Sequence, residues 1–146
     1  HTGAFAIIGA IMYYLLFFGF MTEIWDIKAT IAVSVGFVLS RSLSGLAIGI
    51  FKCAKNSGLL YTFKSAAHKK TIVTVMILYI ALCVAMLCFT GVYGLGTICA
   101  AVISFLWYRH VAYSKFGGIT GVIAGYFVCI CEVLCVIFGG VLCVLL

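Results

Sequence analysis

The chain has 146 residues, of which 66% are hydrophobic and 8% charged, with a mean hydropathy of +1.35. Soluble domains carry about 25% charged residues, so this composition excludes a water-covered globule and specifies an integral membrane protein. The net charge of +6, from nine Lys/Arg against three acids, reads as membrane topology rather than nucleic-acid binding.

Residues 4–21 carry no charge and just reach the length of a span, about 20 apolar residues. Tyr13 and Tyr14 lie mid-run, where tyrosines are expected to face other helices. Residues 22–28 form a short loop with Glu23, Asp26 and Lys28, net charge −1, and Trp25 suits an interface anchor. Residues 29–51 form a second span, broken by Ser40-Arg41-Ser42-Leu43-Ser44-Gly45. An arginine at that depth costs about 2.5–3.5 kcal/mol on insertion scales, so Arg41 is expected to face the bundle interior or a polar cavity. Either a structural ion pair or a phosphate-binding cation fits it.

Residues 52–70 hold Lys52, Lys55, Lys64, His68, Lys69 and Lys70 with no acid, and Lys55-Asn56-Ser57-Gly58 suits a turn. A third span covers 71–90, a glycine-rich turn 91–96, and a fourth span about 95–108. Arg109, His110 and Lys115 form a second basic loop. The last run, 27 residues from Thr120, is long, so it tilts or begins as a non-helical segment at Gly117–Gly121.

Five spans place the 52–70 and 109–119 loops on one side, with six Lys/Arg, or seven with Arg109, against one on the other. The positive-inside rule makes that side cytoplasmic. The expected fold is an all-α, polytopic transmembrane helical bundle of about five spans, with residues 1–146 as one bundle. Of the eight cysteines all but Cys53 lie in apolar runs, and none makes a C-x-x-C pair; they read as small apolar residues, and zinc and iron–sulfur spacings are absent.

Two places suit chemistry. Gly117, Gly118, Thr120 and Gly121 lie where a helix begins, and backbone amides there can cradle an oxyanion, with Lys115 adding charge. Close helix packing explains the same glycines equally well. Glu132, mid-span, needs a partner, and Arg41 is the other charge at mid-membrane depth.

Ser40-Arg41, the Lys55-x-x-Gly58-Leu59-x-x-x-Phe63 pattern, and Gly117-Gly118-x-Thr120-Gly121 with Gly125 and Glu132 resemble, in order and spacing, the second half of the cobalamin synthases. These are adenosylcobinamide-GDP ribazoletransferases. His1-Thr2-Gly3 resembles the tail of a further motif. The resemblance implies a transferase joining α-ribazole or its 5′-phosphate to adenosylcobinamide-GDP with release of GMP, in the bacterial cytoplasmic (inner) membrane. It implies Arg41, Lys115, Thr120 and Glu132 as catalytic candidates, and Gly3, Lys55, Gly58, Gly117, Gly118, Gly121 and Gly125 as substrate contacts. It also implies Mg²⁺, held by an acidic motif of the family's N-terminal portion. Since that motif is not in this sequence, the chain is expected to be the C-terminal part of a longer enzyme and to hold no metal itself. One position departs from the pattern: Val122 stands where the family has aspartate. The rival expectation is a transporter or channel subunit using Arg41 and Glu132 as a buried relay.

Overall fold

The computed structural model describes residues 3–54 and 69–146. They form five helices: α1 (Ala4–Thr22), α2 (Ile27–Ile50), α3 (Lys69–Phe89), α4 (Val92–Phe116) and α5 (Gly121–Leu145). Helices α2 to α5 are long and apolar enough to cross a membrane; in α1 the apolar stretch Ile7–Thr22 is shorter. The expected all-α bundle is therefore present.

Local chemistry sets the helix ends. Asp26 caps α2, its carboxylate accepting the Lys28 N–H at 2.9 Å. Gly91, at φ 65°, turns the chain between α3 and α4, and Gly117, at φ 66°, ends α4. Both adopt left-handed backbone that a Cβ disfavours. Thr120 caps α5, its hydroxyl oxygen accepting the Ile123 N–H at 3.4 Å.

Three boundaries differ from expectation. The serine-rich stretch does not break α2, because Ser40 and Ser42 donate their hydroxyls to the carbonyls of Phe37 and Val38 within the helix. The second basic loop is not a loop: Arg109–Lys115 continue α4 to Phe116, since no breaker precedes Gly117 and the basic side chains ride on a helix end. At its other end α4 starts at Val92, so the expected turn contracts to Thr90–Gly91. The turn expected at Lys55–Gly58 lies outside the described residues.

Helices α2 and α5 form the middle of the bundle. α5 packs on α4, α2 and α1, while α3 packs on α2 and α4. Small residues allow close approach: a Cβ at Gly36 would lie 2.8 Å from Thr97 and 3.1 Å from the Cys135 sulfur, and one at Gly139 would lie 2.7 Å from Val33. Helix directions alternate: the connections at 23–26, 90–91 and 117–120 are short, and α2 meets α3 with Gly45 beside Met76 and Gly49 beside Val73, an antiparallel pair. Lys52, Lys70, Arg109, His110 and Lys115 thus gather at one end, with Glu23, Asp26 and Lys28 at the other.

Candidate functional site

The glycine turn lies at the basic end. Gly118 N–H closes the end of α4 on the Ala112 carbonyl at 3.0 Å. The Ile119 N–H then donates to the Lys52 carbonyl at 2.8 Å, and the Ala54 N–H to the Ile119 carbonyl at 3.0 Å, a one-residue parallel bridge between Cys53 and Ile119. Gly118 has to be glycine for this contact, because a Cβ there would meet the Lys52 carbonyl oxygen at 2.5 Å and the Ala54 nitrogen at 2.8 Å. The amides of Gly118 and Ile119 are thereby spent on the protein, so they are not the oxyanion cradle that the glycine pattern suggests. The amides of Gly121 and Val122, in the first turn of α5, donate to no group among the described residues. Among the described residues, they and the Thr120 hydroxyl are donors left without an acceptor at the start of α5.

At mid-depth, Glu132 of α5 joins three helices. Arg41 of α2 pairs with its Oε1, and the Tyr13 hydroxyl of α1 donates to Oε2 at 3.2 Å. Arg41 Nη1 also donates to the Phe37 carbonyl at 3.1 Å. Glu132 is buried, with its side chain 10% exposed, whereas that of Arg41 is 63% exposed. The remaining N–H groups of Arg41, on Nε and Nη2, have no partner among the described residues. Tyr13 is held by a stack running Tyr13–Phe17–Phe37, centroids 5.9 and 5.8 Å apart, which joins α1 to α2.

Turn and ion pair are separate places. Arg41 is nine residues from Ile50 and Glu132 eleven from Gly121, so both lie about 14–16 Å from the basic end at 1.5 Å per residue. One helix face connects them. Gly121, Gly125 and Glu132 fall within about 40° of each other around α5 at 100° per residue. Among the described residues, no atom beyond the helix's own neighbouring backbone lies within 4 Å of where a Cβ would stand on Gly121 or Gly125. The face is open at Gly121 and Gly125, while Val128, between them and Glu132, is half-buried against the core. The described α1 residues before Tyr13 are exposed as well.

Lys115 is exposed on the last turn of α4, where its charge suits the helix C-terminus. Gly3 is exposed just before α1, at the same end. Gly117 ends α4 and touches nothing with the space a Cβ would fill. Lys55 and Gly58 lie outside the described residues. The sequence reading missed the link from Tyr13 to Glu132, since a mid-span tyrosine shows no partner without the neighbouring helices. It also missed a pocket of about 530 Å³ on α4 lined by Leu106, Arg109, His110, Tyr113 and Ser114. The spacing of those residues, i, i+3, i+4, i+7 and i+8, was the available signal. For Mg²⁺ the described residues offer no fit: no group of three His, Cys, Asp or Glu comes together, and both Glu132 oxygens are engaged.

The model of the family described as cobalamin-5-phosphate synthase matches residues 1–140. An adenosylcobinamide-GDP ribazoletransferase from Lachnoclostridium phytofermentans is 42% identical over 135 residues, covering 92% of this chain and 51% of the relative. The chain thus spans about half the length of the curated relative it matches. No solved structure matches it. Nothing in the fold or in these comparisons favours the transporter expectation.

Proposed function

We propose, from the premise that this chain belongs to the cobalamin-5-phosphate synthase family, that it supplies the cationic and hydrogen-bonding part of an adenosylcobinamide-GDP ribazoletransferase. In that reaction a hydroxyl of α-ribazole, or of its 5′-phosphate, attacks the cobinamide-side phosphate. A new P–O bond forms, the P–O bond to GMP breaks, and the hydroxyl proton leaves. Phosphoryl transfer of this kind depends on positioning and charge neutralisation. The observation that carries the reading is the open start of α5, where Gly121 and Gly125 leave space beside the donors of Thr120, Gly121 and Val122, with N–H groups of Arg41 unpartnered deeper in the bundle among the described residues.

From the start of α5 inward, the chain's residues divide the work. The α5 N-terminus and Lys115 attract phosphate at the basic end. The missing side chains of Gly121 and Gly125 leave room for it. Arg41 presents a cation deeper down, and Glu132, held by Tyr13, orients that guanidinium as a positioning residue. Lys55 and Gly58 belong with the phosphate contacts of the basic end on the family resemblance alone. The basic end faces the cytoplasm of a bacterial inner membrane, by the charge asymmetry. Mg²⁺ is held by carboxylates outside the described residues, in the half of the enzyme that this chain does not cover.

The test is GMP release from adenosylcobinamide-GDP and α-ribazole in membranes. The chain alone is compared with the chain co-expressed with the part of the L. phytofermentans relative that it does not cover. Release is expected only from the combination, reduced roughly 10²-fold or more by Arg41→Gln, as for loss of a transition-state charge contact. Release by the chain alone, or full activity of the Arg41→Gln combination, would overturn the proposal.

A further inference from the structure

The exposed face of α4 carries a second constellation, outside the site proposed above. Leu106, Arg109, His110, Tyr113 and Ser114 line one open depression on this helix. All five are exposed, and Arg109 and His110 have no hydrogen-bond or ion-pair partner among the described residues. No acid stands near: Glu23 and Asp26 lie at the opposite end of the bundle, and Glu132 is engaged on α5. Tyr113 is fixed from behind, its hydroxyl accepting the Lys52 N–H at 3.3 Å and its ring meeting Phe51 edge-on at 5.7 Å. Beside the pocket, Trp107 meets Tyr126 at 5.9 Å, and both rings are exposed.

Depth decides what this pocket meets. The 25 residues of α4 span about 37 Å at 1.5 Å each, against a hydrocarbon core of about 30 Å. Placing that excess at the basic end sets roughly the last turn beyond the core, with Ser114 at headgroup level and Arg109 and His110 just below it, within reach by extending their side chains upward. Trp107 and Tyr126 fall in the zone that aromatic belts occupy. A phosphate with apolar chains beneath it fits this arrangement: guanidinium forked on the phosphate oxygens, His110 and Ser114 as further donors, and Leu106 against the hydrocarbon.

We propose that this face of α4 is a binding site for the phosphate headgroup of an anionic membrane lipid. A site built only for topology would need the charge but not the fork, and would not discriminate between lipids.

The chain is purified in a neutral detergent, and bound lipid is read by native mass spectrometry after addition of phosphatidylglycerol or phosphatidylcholine. Phosphatidylglycerol is expected to bind preferentially. Its affinity should fall roughly five-fold or more in Arg109→Gln, fall less in His110→Gln, and stay unchanged in Lys28→Gln, which removes the same charge at the other end. Arg109→Lys should bind between wild type and Arg109→Gln, and it guards against a folding defect in the latter. Equal binding of the two lipids, or equal loss in Lys28→Gln, would overturn the proposal. So would displacement by millimolar inorganic phosphate, which would make this a site for a soluble phosphate.

Discussion

Arg41 and Glu132 are paired between α2 and α5 at mid-depth, yet the two side chains differ in their surroundings. The acid is enclosed and accepts from both sides, while the base keeps N–H groups free on an open face. Removing one partner of a buried pair costs about 3–5 kcal/mol, because the other charge is left uncompensated. With Arg41 more than half exposed, the lower part of that range applies. We expect Arg41→Gln and Glu132→Gln each to lower the unfolding temperature in detergent. The double variant should be clearly more stable than the sum of the single losses, the mark of direct coupling.

Tyr13→Phe tests the third member of this group. It removes one hydrogen bond to Glu132 at 3.2 Å and leaves the ring stack intact. A loss of about 0.5–1.5 kcal/mol is expected. The same change made in the Glu132→Gln background should cost less, measured by the same unfolding assay.

Gly118 and Gly125 should respond in opposite ways to the same change. Gly118→Ala drives a methyl into the Lys52–Ala54 backbone, with an expected loss of about 1–3 kcal/mol and faster proteolysis after Ala54. Gly125→Ala meets open space in the middle of a helix, so stability should rise by about 0.5–1 kcal/mol. If that face holds substrate, GMP release by the combined halves carrying the same change falls roughly ten-fold. A gain in stability with no loss of turnover would remove Gly125 from the site.

Val122 is 84% exposed in the first turn of α5. An aspartate there incurs no burial cost and faces the positive end of the helix dipole, worth about 0.3–1 kcal/mol. Val122→Asp is therefore expected to leave the fold intact and to raise GMP release by the combined halves. Unchanged or lower release would show that the family acid has no role in this chain.

Much of the architecture was legible because it follows from apolar run length and charge placement. Those two readings located the helices, gathered the basic residues at one end and left Arg41 and Glu132 to find each other. The helix start at Gly121 followed from Thr120 and the glycines before it. What stayed hidden depends on contacts across the sequence. The bridge of Cys53 to Ile119 joins distant segments and takes up the Ile119 amide, while the end of α4 takes up that of Gly118, so neither is left for the phosphate that a local reading assigns to this turn. The helical state of Arg109–Lys115 was obscured because charge in a membrane protein reads as loop. A helix longer than the bilayer carries its charges past the surface without unwinding. Ser40 and Ser42 misled for a related reason: hydroxyls that signal a break in water are satisfied inside a helix by the carbonyls one turn back.

The ion pair also bears on how the chain is made. Arg41 and Glu132 are 91 residues apart, and ribosomes add about 5–20 residues per second. For roughly 5–18 s after its synthesis, Arg41 lacks Glu132, the carboxylate it pairs with among the described residues. During that interval α2 is without the contact that ties its arginine to α5, and that contact forms only once α5 has been made. A nascent chain stopped before Glu132 would leave α2 its least committed span, open to slippage back toward the interface or to degradation by membrane proteases.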